Sequence, residues 1–129
     1  MIGVSENDGT VVLEMQGDFT DAVMDELGGL IGELVDRRKV KVVLGVKRVS
    51  WVTLKGIKWL AGNLRKLRQR DGDMRLAGLS PHWTSLLELT ENQNLFAIYP
   101  SVEEAVASYR TRPGVSVPTG AGLVPSAAG

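Results

Sequence analysis

The residues whose types and spacing suit chemistry gather at Thr53-Leu54-Lys55-Gly56. They follow an apolar strand pattern and open a long helical one. The first turn of a helix leaves backbone N–H groups without intrahelical partners, and sites in open α/β folds collect where a strand ends and a helix begins. Thr53 brings a hydroxyl. It suits a helix cap, accepting a backbone N–H, and is also the one phosphorylatable oxygen at the corner. Lys55 brings a cation suited to an acidic partner or a phosphate group. Leu54 brings only apolar surface.

Elsewhere the chemical inventory is short. His82 is the single histidine. It follows Ser80-Pro81 without a triad or metal pattern and reads as a surface residue. Asp71 and Asp73 flank Gly72 and read as turn residues, not as a calcium loop. There is no cysteine, hence no disulfide framework, thiol nucleophile or thiolate metal site. The sequence contains no Gly-x-x-x-x-Gly-Lys phosphate loop, no Gly-x-Gly-x-x-Gly and no Gly-x-Ser-x-Gly. The expectation is a non-enzyme with no metal and no cofactor.

The chain has 129 residues, 15 basic and 15 acidic, so its net charge is zero and no global field draws it to nucleic acid or an anionic membrane. No apolar run approaches the roughly 18 residues of a spanning helix, and no signal peptide pattern opens the sequence; a cytoplasmic protein is expected. One domain is expected over residues 1–110. From 111 to 129 Pro and Gly replace large apolar residues, which predicts a flexible tail.

The elements that must position the corner follow from periodicity. Ile2 to Glu6 and Thr10 to Gly17 flank the turn signal Asn7-Asp8-Gly9 and predict a hairpin. Thr20 or Asp21 caps a helix whose stripe is Val23, Leu27, Leu30, Ile31 and Leu34; Gly28, Gly29 and Gly32 within it predict close packing of that helix on the sheet. Val40 to Val46 is a β-branched run typical of a central strand. A second helix runs from Leu54 to Arg70 with the stripe Ile57, Leu60, Ala61, Leu64 and Leu67. At 100° per residue, Lys55, Trp59, Gly62, Lys66 and Arg70 fall on its opposite face. A tryptophan on a basic outer face suggests a binding anchor, whereas Trp51, just before the corner, reads as core. Met74 to Leu79 is a strand. Ser80 caps a third helix with Pro81 in its first position. Leu95 to Tyr99 is a last short strand, and Ser101-Val102-Glu103-Glu104 is a capping box opening a helix to about Tyr109. The whole predicts an α/β domain of about five mixed strands and four helices.

Four segments in this order resemble the STAS family, the bacterial anti-sigma-factor antagonists in particular. They are Met15-Gln16-Gly17-Asp18-Phe19-Thr20, Val42 to Ile57, Leu76 to Thr90, and Leu95 to Ala105. The resemblance covers residues 4 to 109 and implies a protein-binding module that sequesters an anti-sigma factor or a related kinase-like regulatory protein. It also implies an Asp and then a phosphorylatable Ser or Thr at the start of the second helix. Those positions hold Thr53 and Leu54, and the hydroxyl residue that often follows holds Lys55; Gly56 alone is kept. An acidic position after the hairpin holds Thr20. The serine switch is therefore expected to be lost, with Thr53 as the possible substitute acceptor. The partner-binding residues expected are Thr53, Leu54, Lys55, Gly56, Trp59, Lys66 and Arg70. The same family also serves as accessory subunits of lipid-transport ABC complexes and as scaffolds of stress-signalling assemblies, and that role is the alternative. A flavodoxin-like nucleotide-binding enzyme is a third, without a phosphate loop to support it.

Overall fold

The computed structural model describes residues 2–92 and 94–110. The segment 111–129, expected as a tail, lies outside the described residues. The elements are β1 (Ile2–Asn7), β2 (Thr10–Gln16), α1 (Asp21–Asp36), β3 (Lys41–Arg48), α2 (Leu54–Arg68), β4 (Asp73–Ala77), α3 (Pro81–Leu89), β5 (Ile98–Tyr99) and α4 (Val102–Tyr109). The sheet runs β1-β2-β3-β4-β5. β1 pairs antiparallel with β2 through a turn in which Asp8 and Gly9 take φ of 52° and 82°; the other pairings are parallel.

Alternation along the strands sorts the core into two layers. Val11, Leu13 and Met15 of β2, with Val42, Leu44 and Val46 of β3, pack under Met24, Leu27 and Ile31 of α1, the α2 stripe, and Trp83 and Leu87 of α3. Val12, Val43 and Ala77 face the other way, against Ala105 and Val106 of α4. Three helices thus cover one side of the sheet and one short helix covers part of the other. All five residues of the expected α2 stripe are buried. In α1 the stripe is shifted: Met24 is buried with Leu27 and Ile31, while Val23, Leu30 and Leu34 are partly buried against the same core.

The caps read from the sequence form. Thr20, Thr53 and Ser80 each accept the N–H of the third residue on. Ser101 accepts from the Glu104 N–H, and the Glu104 carboxylate returns to the Ser101 hydroxyl. At the other end of α4, Tyr109 donates to the Val42 carbonyl at 2.9 Å and lies under the Arg75 guanidinium, 3.9 Å from the ring centroid. Burial pushes the Tyr109 hydroxyl well above the usual tyrosine range; the charge of Asp73 adds to the shift, and Arg75 and the hydrogen bond to Val42 oppose it.

Three expectations need correction. The second helix ends at Arg68, because the chain turns through Asp71 at φ 63° into Gly72, where a Cβ would stand 2.3 Å from the Val40 carbonyl oxygen. Asp73 is no turn residue: it opens β4 and pairs with Arg68 and Arg75 at 3.1 and 3.2 Å. The glycines of α1 do not serve packing on the sheet. Gly28 makes room for the Trp59 ring, 3.2 Å from a would-be Cβ, and Gly29 and Gly32 face open space.

Candidate functional site

The corner between β3 and α2 is built by two loops laced together. The Gly17 N–H donates to the Arg48 carbonyl and the Phe19 N–H to the Trp51 carbonyl, at 3.1 and 2.9 Å. The Ser50 hydroxyl reaches the Asp18 carboxylate at 3.3 Å. The loop after β2 is thereby tied beneath the start of α2, with Phe19 buried. Here Gly56 has its reason: a Cβ would stand 2.8 Å from Phe19, closer than real side chains approach, and a tight 3.0 Å from Val52. The glycine lets the first turn of α2 sit down on Phe19.

On this base the site residues take definite places. Thr53 is exposed, with extended backbone, and its hydroxyl accepts the Gly56 N–H at 3.1 Å, so it is the N-cap. Leu54, the first residue of α2, is 44% exposed. The Lys55 ammonium stands 3.1 Å from the Asp21 carboxylate. Both groups are about three-quarters exposed, so solvent screens the pair and it holds little of the fold. Lys66 and Arg70 are exposed farther along.

Two tryptophans exchange the places read from the sequence. Trp59, expected on the outer face, is half-buried between α2 and α1. It meets Phe19 edge to face, with centroids 6.0 Å apart, and fills the notch over Gly28. At 140° from Leu54 on the wheel it borders the buried arc, and α1 closes over that border. The outer face instead carries Lys55, Lys58, Arg65 and Lys66. Trp51, expected in the core, is 54% exposed. Its indole stacks on the imidazole of His82, with centroids 5.0 Å apart and planes 16° from parallel.

His82 is accordingly no free surface histidine. It is partly buried, and its Nε2 lies 2.9 Å from the Val52 carbonyl oxygen. The Val52 backbone nitrogen lies 3.4 Å from the same Nε2, so the ring edge is held against the Val52 peptide groups. The imidazole joins α3 to the corner loop and forms a platform beneath Trp51. Sequence spacing gave no sign of this contact, because the two rings are 31 positions apart and meet only when α3 packs beside α2.

Among the described residues there is no cluster of His, Asp and Glu able to hold a metal ion, and no helix long and apolar enough to cross a membrane. What the corner presents is a pair of exposed apolar side chains, Trp51 and Leu54, around a capped helix start with Lys55 and Lys58 beside it. Aromatic residues are among the side chains that anchor protein contacts where such contacts form.

Comparison with known proteins identifies the fold and the family. The STAS domain family model matches residues 1–105. BtrV of Bordetella bronchiseptica, provisionally named an anti-sigma factor antagonist, is 27% identical over 104 residues, which make up 81% of this chain and 90% of BtrV. The crystal structure of an anti-sigma factor antagonist from Mycobacterium paratuberculosis superposes with a TM-score of 0.74 at 23% identity, covering 86% of this chain and 94% of that one. The phosphorylated form of the Bacillus cell fate determinant SpoIIAA superposes at 0.70 with 17% identity, covering 85% and 100%.

Proposed function

The chain belongs to the STAS domain family and resembles its anti-sigma factor antagonists, and on that premise we propose that it binds an anti-sigma factor or a related kinase-like regulatory protein through the β3–α2 corner. The observation that carries the reading is the exposure of Trp51 and Leu54 on either side of the Thr53 cap of α2, neighbouring apolar surface of the kind that protein contacts cover. Lys55 contributes a cation beside them, and Lys66 and Arg70 extend the basic surface along and beyond α2. Thr53 and Gly56 serve the site through the backbone, one as cap and the other as the close contact with Phe19. Trp59 acts from below, holding α1 against α2, rather than as an anchor.

Binding at this corner proceeds without a serine switch. Leu54 has no oxygen to phosphorylate, and the Thr53 hydroxyl is engaged in capping. Occupancy then follows the abundance of the two proteins. The test is affinity purification of the tagged full chain from its own cells, followed by titration of the recovered regulator against wild type and Trp51→Ala. Recovery of an anti-sigma factor or kinase-like regulator, with affinity lost in the variant, supports the reading. Recovery of a transporter ATPase subunit, or undiminished affinity in a folded Trp51→Ala protein, overturns it.

A further inference from the structure

Net neutrality conceals a division of charge between neighbouring helices. α1 contains Asp21, Asp25, Glu26, Glu33 and Asp36 and no basic residue; α2 contains Lys55, Lys58, Arg65, Lys66 and Arg68 and no acidic one. All ten side chains are exposed, and the two helices lie side by side on the same face of the sheet. They scarcely neutralise each other. Among the described residues Asp21–Lys55 is the one ion pair between them; Glu33 pairs with Arg37 and Arg68 with Asp73. Asp25, Glu26, Asp36, Lys58, Arg65 and Lys66 have no ion pair among the described residues.

A second observation concerns glycine. On a 100° wheel Gly29 points directly away from the Leu27 and Ile31 side of α1, and Gly62 directly away from the Leu60 and Leu64 side of α2. A Cβ at either position would meet none of the described residues within 4 Å. Glycine costs a helix stability relative to alanine, and at these two positions nothing among the described residues requires it. Each helix therefore has a bare spot at the middle of its outward face, flanked by charges of one sign.

We propose that the outer face of α1 and α2 is a docking surface for a second copy of this chain. A two-fold axis running parallel to the helices lays α1 of one copy on α2 of the other, and the reverse. Acid then meets base on both halves of one isologous interface. The perpendicular axis would set α1 on α1 and is repelled. Gly29 and Gly62 let the opposed backbones approach. Charge complementarity selects a second copy over an acidic partner, because a partner complementary to α2 alone leaves the acidic half of the face unmatched. The inference goes beyond the proposed corner site and does not rest on it.

Sedimentation equilibrium of the full chain tests it. Wild type forms dimers at low salt and dissociates as salt rises from about 50 to about 500 mM, because exposed charges are screened over that range. The triple variant Lys58→Glu, Arg65→Glu, Lys66→Glu is monomeric, as is Asp25→Lys, Glu26→Lys, Asp36→Lys, each with a circular dichroism spectrum of the folded protein. Mixed in equal amounts, the two variants restore a dimer, since one then carries two acidic helices and the other two basic ones. A wild type that stays monomeric at millimolar concentration and low salt overturns the proposal. So does failure of two folded variants to pair. If wild type stays monomeric while the α2 variant alone loses the regulator's binding, the face belongs to that partner instead.

Discussion

Trp51 lies flat on His82, with ring centroids 5.0 Å apart, while Nε2 of the same imidazole ring lies 2.9 Å from the Val52 carbonyl oxygen. The indole is thus held in one orientation although more than half of it faces solvent. An aromatic held in place before contact loses less side-chain entropy on binding than one that must be ordered.

Trp51→Ala and Trp59→Ala should therefore separate binding from folding. Removing Trp51 exposes little new core and should change stability by less than about 1 kcal/mol, yet weaken regulator binding by about 2 kcal/mol or more, the usual cost of losing an anchor. Removing Trp59 opens a gap between Phe19 and Gly28 and should destabilise the fold by about 2 kcal/mol or more. Urea unfolding and calorimetric titration of both variants measure the two quantities. A Trp51→Ala protein that unfolds easily and binds normally would show that the stack is only structural.

Gly56→Ala tests the seat of α2. Alanine favours a helix by about 1 kcal/mol over glycine, but here its methyl would stand 2.8 Å from Phe19. The overlap should outweigh the propensity and give a net loss of about 1–3 kcal/mol, the cost of overpacking. Gly62→Ala, whose added methyl meets none of the described residues within 4 Å, should gain stability under dimer-dissociating salt. Thermal melts of the two variants should move in opposite directions.

The elements were legible in the sequence because each carried two agreeing signals. Thr53 before the Ile57–Leu60–Leu64 stripe, Ser80-Pro81 before Trp83, and Ser101 with Glu104 all gave both a cap and a periodicity, and all form. The weaker readings were those that depended on what packs against a helix. Trp59 lies on the edge of its helix's buried arc, and only α1 decides which side that edge takes. Trp51 lies in a loop, where no periodicity exists, so its exposure rests on the contact with His82 from α3. β5 shrank to Ile98–Tyr99 because it pairs with β4 alone, and β4 ends at Ala77, where Gly78 takes φ 77°.

Intact-mass measurement after incubation with a cognate kinase and ATP should find no phosphate on residues 53 to 56. Leu54 cannot accept one, and the Thr53 hydroxyl is turned back to the Gly56 N–H as the cap. Phosphate at Thr53 in stoichiometric amount would show that the switch has moved by one residue.

Tyr109 gives the fold a defined weakness at high pH. Its folded-state ionisation lies above the ordinary tyrosine value near about 10, chiefly through burial and then through the charge of Asp73. The unfolded chain therefore loses this proton first. Stability from this group is full below about pH 10 and falls as pH climbs toward the folded value, by at most about 1.4 kcal/mol per pH unit for one proton. Lysines titrate in the same range, so the comparison is with Tyr109→Phe. That variant lacks the hydrogen bond to Val42 and should be less stable at pH 7 by about 1 kcal/mol. It has no phenol to ionise, so its stability should decline less steeply above pH 10, and the two curves should converge. Urea unfolding of both proteins from neutral pH to pH 11 reads the difference directly. Parallel curves would mean that Tyr109 ionises alike in the folded and unfolded chains, and that the end of α4 opens before the rest of the domain.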